Sequence, residues 1–154
     1  MYSQIYGNLN RQSKGLQLLS ALLEEEFAYL SERRMDDVAS IEFSIHELIR
    51  QLMVEREEII NIMQGVKARQ YAEMLPPDEA AAINKLLDEL EENEQSCAKQ
   101  SSLNSEMSLS LLDQGQQLMD FLYTRALPPQ VETYNVKGSM YKQRPQAAML
   151  SGRC

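Results

Sequence analysis

Residues 38–62 read VASIEFSIHELIRQLMVEREEIINI, and this stretch decides the fold. Val38, Ile41, Ile45, Leu48, Leu52, Glu55, Ile59 and Ile62 follow one another at alternating steps of three and four. That step keeps side chains on one face of an α-helix, and its persistence over successive heptads marks a coiled-coil-like seam. Only Glu55 interrupts the apolar set. It reads either as a buried, register-setting charge or as a residue just past the end of the preceding helix and facing water, the second reading being preferred. The pattern predicts a helix from about Asp37 to Ala72, capped at its start by Asp36. At about 1.5 Å per residue it would run roughly 50 Å.

Upstream, Leu9, Leu16, Leu23 and Leu30 recur every seven residues, and Leu19, Leu22 and Phe27 widen the stripe. A first helix is expected from about Leu9 to Arg33. Downstream, Pro76 and Pro77 stop the second helix, and Asp78-Glu79 places acids at the start of a third. No proline interrupts that helix before about Arg125. Its ends are apolar, but from Glu91 to Ser102 the only apolar residues are Cys97 and Ala98. Such a stretch is either a solvated extension or a thin place in a bundle. Leu127-Pro128-Pro129 ends the helix, because the residue before a proline is pushed out of helical dihedrals.

These elements predict an all-α fold: an elongated antiparallel three-helix coiled-coil-like bundle over 1–127, with helices at about 9–33, 37–72 and 78–125. Residues 128–154 are rich in Gln, Ser, Gly and Pro, with scattered apolar residues that follow no period. They are expected to form a flexible tail, since they cannot bury enough to offset their ordering entropy.

The net charge of −8 argues against nucleic acid and against anionic membrane surfaces, both of which require clustered Lys and Arg. The charge is unevenly placed. Residues 128–154 carry Lys137, Lys142, Arg144 and Arg153 against Glu132, a net +3, which leaves −11 on the rest. The two cysteines, Cys97 and Cys154, form no CxxC or Cys/His cluster, so neither a disulfide framework nor a zinc site is indicated and a reducing cytoplasm is expected. The N-terminus lacks the basic-then-apolar pattern of a signal peptide, and no stretch approaches the ~18 apolar residues of a membrane span.

Little in the chain could support catalysis. His46 is the sole histidine and opens His46-Glu47-Leu48-Ile49-Arg50. A histidine phosphotransfer bundle has a similar start, His-x-Leu-Lys-Gly, but Ile49 stands in the place of the phosphoryl-holding Lys and Arg50 in the place of the Gly. The carboxylate runs Glu24-Glu25-Glu26, Glu55-Glu57-Glu58 and Glu91-Glu92-Glu94 read as wet helix faces rather than a di-metal site, because Phe43 stands where a Glu-x-x-His pair would need its Glu. No phosphate loop and no nucleophile–base arrangement appears, so no enzyme activity, metal or cofactor is expected.

The order of motifs resembles the FlgN family of flagellar type III export chaperones, over roughly residues 9–138. Leu48 to Arg56 closes on Leu52-x-x-Glu55-Arg56, similar to the family's leucine-rich second helix. Leu103-Asn104, followed by Leu109, Leu111 and Leu112, looks like the family's Asn-containing third helix. Tyr134-Asn135-Val136-Lys137-Gly138, after a proline break, resembles its Tyr-x-x-x-Gly tail motif. Two positions depart: Met107 stands where a second Asn is common, and Glu42 where a basic residue is common. The resemblance implies a cytoplasmic chaperone that binds the C-terminal segments of the hook-associated proteins FlgK and FlgL. It keeps them unassembled and delivers them to the export gate FlhA, where Tyr134, with Gly138, makes the docking contact. It implies no ATP hydrolysis.

Physically, client tails that form amphipathic helices can be covered by an open apolar groove. The distal third helix offers Met107, Leu111, Gly115, Leu118, Met119 and Leu122 as that face, with Gly115 allowing close backbone approach. The same residues could equally be ordinary intramolecular core, and the methionines could equally fill core gaps. Tyr134 reads as an aromatic anchor, or as a ring packed on its own bundle. A structural coiled-coil adaptor, or a homo-oligomer (exposed stripes pairing two chains in the absence of cargo), is the alternative from another class, and a phosphotransfer bundle is the third.

Overall fold

A computed structural model describes residues 1–126 of the chain. Four helices follow in order: α1 (Tyr2–Ser31), α2 (Met35–Met63), α3 (Ala68–Glu73) and α4 (Pro77–Ala126). There is no strand among the described residues, so the all-α class holds, with a short fourth helix that the three-helix reading did not contain. The residues fall into two units, the first Met1–Asp113 and the second beginning at Gln114, within α4. The tail, with Tyr134 and Gly138, lies outside the described residues.

α1 begins at Tyr2, seven residues before the expected start at Leu9. Its apolar stripe continues backward to Ile5, which is fully buried, but Asn8, Gln12 and Ser13 share the buried face and interrupt the pattern. The helix closes in a Schellman motif: Arg33 takes the left-handed conformation (φ 59°). The Arg34 N–H donates to the Tyr29 carbonyl at 2.9 Å, and the Arg33 N–H to that of Leu30 at 3.1 Å. Asp36 does not cap α2 as expected. The helix starts two residues earlier than Asp37, at Met35, so Asp36 and Asp37 occupy its first turn, where their charge complements the positive end of the helix dipole. Arg34 spans the corner, its guanidinium 2.8 Å from Asp37 Oδ2 and 4.6 Å from the centre of the Tyr29 ring.

α2 ends at Met63 rather than Ala72. Gln64 and Gly65 both have positive φ, at 48° and 87°. Glycine reaches that region without steric cost, and its place just past a helix end makes it a stop signal that the apolar periodicity concealed. α3 then forms a separate turn-and-a-half whose Ala72 is fully buried, with Tyr71 and Leu75 packed on the core beside it. Pro77 opens α4 at the position where a missing N–H costs nothing, followed by Asp78 and Glu79.

The core of the first unit joins Ile5, Leu9, Leu16, Leu19 and Leu23 of α1 to Ile41, Ile45, Ile59 and Met63 of α2 and Ile83, Leu86, Leu90 and Cys97 of α4. Burying each large aliphatic side chain contributes about 1.5–3 kcal/mol, which offsets the entropy of fixing the helices. α1 and α2 are antiparallel, since residues near the start of α1 meet residues near the end of α2. Their backbones approach closely at Gly15, where a Cβ would fall 2.7 Å from Leu52 Cδ2.

Glu55 belongs to this seam and does not face water beyond it. The early start of α1 brings Asn8 and Arg11 opposite it. The Asn8 amide donates to the Glu55 carbonyl at 2.9 Å and to Oε2 at 2.7 Å, and Arg11 makes a two-pronged pair with both carboxylate oxygens at 2.8 Å. Gln12 donates in turn to Asn8 Oδ1. These bonds fix the register of α1 on α2, because slipping either helix by one turn would strand every member.

Arg11 beside Glu55 holds that carboxyl below its ordinary range. A group with a lowered folded-state pKa stabilises above the unfolded value and loses that contribution as pH falls through the folded one. Glu55→Gln is therefore expected to cost about 1 kcal/mol near neutral pH. In urea unfolding measured at stepwise lower pH, the difference from wild type should shrink as the wild-type carboxylate protonates. A difference indifferent to pH would show that the ion pair contributes nothing.

Candidate functional site

The first unit contains an open groove of about 640 Å³ between α1, α2 and α4. Leu19 and Leu23 of α1, Ile45 and Ile49 of α2, and Cys97 and Leu109 of α4 give it apolar lining; Glu26, Glu42 and His46 are its ionisable lining residues besides the Cys97 thiol. Its origin is legible on α4. Ala98, Ser101, Ser105 and Ser108 succeed one another at steps of three, four and three, the spacing of a helical seam, and all line the groove. Seam positions occupied by Leu would fill this space. Ala and Ser leave it open.

What keeps α4 in place there is polar. Asn104 is buried at 4% exposure, and its amide donates to the Leu23 carbonyl at 2.8 Å and to Glu26 Oε2 at 2.6 Å. Its Oδ1 accepts from Gln100 at 3.0 Å. One heptad earlier the Cys97 thiol lies 3.4 Å from the Leu16 carbonyl. Burial pushes the thiol's pKa up, with the Glu94 carboxylate adding to the effect, so Cys97 is held as an inert thiol. Among the described residues every buried side-chain nitrogen and oxygen has a hydrogen-bond partner. The polar middle of α4 is thus a thin place in the bundle, held by Cys97 and Asn104.

Beyond Asn104 the apolar residues of α4 lose their cover. In the first unit Met107 and Leu111 are half-buried, while Leu109 and Leu112 are 66% and 70% exposed. In the second unit every described residue from Gln114 to Ala126 is exposed, including Leu118, Met119, Phe121, Leu122 and Tyr123. The Arg125 guanidinium sits 4.7 Å from the centre of the Phe121 ring. A Cβ at Gly115 would meet open space. Five large apolar side chains thus lie exposed within two turns of one helix, the kind of patch that makes a candidate interaction surface. The sequence singled out Leu118, Met119 and Leu122 but not the groove, whose signal was the run of small residues at seam spacing.

His46 is exposed on the groove's edge. Arg50, one turn on, is engaged with Glu47 at 2.7 Å, and that pairing draws the Glu47 carboxyl down to about 2. Among the described residues no group of three His, Cys, Asp or Glu is placed to hold a metal ion, and no helix is long and apolar enough to cross a membrane.

A helical scaffold with an apolar groove and an uncovered apolar helix end has the features of a protein-binding module. The family model described as FlgN protein matches residues 1–142, a span that includes Tyr134 and Gly138, and the chain belongs to the FlgN family. FlgN proteins are chaperones of flagellum biogenesis rather than enzymes, and they bind flagellar proteins. No curated protein and no solved structure matches the chain.

Asn104→Ala would remove the donor that satisfies Glu26 and is expected to lower the unfolding free energy by about 1–3 kcal/mol. Asn104→Asp should be more damaging at neutral pH, because it sets a second carboxylate against Glu26. Thermal melts of the two variants rank them; equal losses would mean that the Asn104–Glu26 pairing is not what anchors α4.

Proposed function

We propose that this chain is a cytoplasmic export chaperone for the hook-associated proteins FlgK and FlgL. It acts by stoichiometric binding, covers their C-terminal segments before assembly and brings them to the export gate FlhA. The observation that carries this reading is the set of half-buried and exposed apolar side chains on α4 after Asn104. Met107, Leu111, Leu118, Met119 and Leu122 take the client segment, and the open space at Gly115 admits its backbone. An amphipathic segment laid against such a surface exchanges its own exposed apolar face for contact, the helix-in-groove mode. Membership of the FlgN family supports the flagellar context. Tyr134 and Gly138 are assigned to gate docking, which would leave client binding and delivery on different parts of the chain.

Titration calorimetry with synthetic C-terminal peptides of FlgK and FlgL should give one-to-one binding. Glu at Leu118 and Leu122 together (Leu118→Glu, Leu122→Glu) should weaken it by at least about tenfold, since two apolar anchors are lost. If neither peptide binds the wild-type chain, the chaperone assignment fails, and sedimentation showing a stable oligomer would favour a cargo-free adaptor.

Tyr134→Ala is expected to leave peptide affinity within about twofold of wild type while reducing capture by the cytoplasmic part of FlhA. A loss of peptide affinity in that variant would overturn the separation of roles.

A further inference from the structure

We infer that the groove between α1, α2 and α4 receives one to two turns of an amphipathic helix from the client, and that this helix carries a Lys or Arg beside its apolar stripe to pair with Glu26 and Glu42. The inference rests on the export-chaperone reading and adds the chemistry by which the client is selected. An α-helix with side chains is about 10 Å across and fills roughly 400 Å³ per turn. The volume of about 640 Å³ therefore suits a short helical piece.

The charge of the groove is one-sided. Its lining contains Glu26, Glu42 and His46 and no Lys or Arg. Glu26 is 8% exposed, yet its one hydrogen-bond donor is the neutral Asn104 amide, and it has no ion pair among the described residues. Glu42 is exposed at the groove and is likewise without an ion pair among them. Among the described residues Glu26 is the only buried acid; the other acids without a cation, Glu42 included, keep contact with water, while Glu55, Asp37, Glu47 and Asp88 are matched with Arg11, Arg34, Arg50 and Arg69. A carboxylate taken out of water without a cation is costly, and an arriving cation relieves that cost. The groove thus favours a basic apolar helix over a neutral one, and the groove acids repel this chain's own acidic helices. The basic segment 128–154 of the same chain has the matching charge, but its apolar residues have no helical period to fit a three-helix trench.

The test uses the full-length chain and the FlgK and FlgL C-terminal peptides, with fluorescence anisotropy titrations of wild type, Glu26→Gln and Glu42→Lys. A second peptide set replaces each Lys and Arg by Glu in turn. Glu42→Lys should weaken the natural peptide about tenfold, Glu26→Gln should weaken it and flatten its salt dependence, and one charge-reversed peptide should regain affinity for Glu42→Lys. Rescue by charge exchange is a readout that a merely structural role would not give. If the natural peptides bind wild type and both variants within about twofold, the groove pairing is overturned while the chaperone reading stands. If no peptide binds wild type, both fall. Tighter peptide binding by Glu42→Lys would identify the chain's own basic segment as the occupant, and loss of a wild-type dimer in that variant would identify a second copy. Either result overturns the inference.

Discussion

The anchoring of α4 by the Asn104 amide is the constraint on which the groove depends. Upstream, Ile83, Leu86 and Leu90 hold α4 by ordinary apolar burial. From Glu91 onward that means is nearly exhausted. A helix with so few buried apolar residues would part from its neighbours unless specific bonds replaced them. Asn104 supplies those bonds, to the Leu23 carbonyl and to Glu26, at the level where the adjacent seam positions are Ser101, Ser105 and Ser108. Small side chains open the trench, and a polar clamp stops it from either collapsing or coming apart.

The same division between apolar adhesion and polar register recurs at the α1–α2 seam. Leu and Ile at the interface would tolerate a slip of one turn, because apolar contact is not directional. The bonds from Asn8 and Arg11 to Glu55 are directional, and they select one alignment. Partly buried polar networks of this kind add little net stability when satisfied and cost most at their buried members, here Asn8 and Gln12. Their value here is the definition of a single packing, which in turn fixes where the groove lies and which side chains line it.

The proposed task, holding a subunit and then releasing it, is served by a surface of moderate appetite. In the proposed reading the uncovered apolar residues late in α4 provide adhesion, and the groove acids Glu26 and Glu42 provide discrimination by charge. Neither requires a chemical step. Net charge on the acidic body opposes the approach of a second copy to the exposed apolar side chains.

The helical class, the approximate course of α2 and α4 and the shared apolar face of Leu118, Met119 and Leu122 were legible from apolar periodicity and proline placement alone. Those signals are local: a three-and-four step states which residues share a face, and a proline states where a helix cannot continue. The true start of α1, the break at Gln64–Gly65 and the role of Glu55 were not legible in that way. At α1 and at Glu55 a polar residue sits where the periodic pattern expects an apolar one, and its meaning depends on a partner far along the chain; at Gln64–Gly65 the stop is a local backbone conformation on which apolar periodicity is silent. Asn8 reads as an interruption until Glu55 is set opposite it, and the serines of α4 read as a weak seam until Asn104 is seen to hold it. Sequence determined which faces are greasy; only the tertiary structure decided which of them are covered, because covering is a property of two segments together.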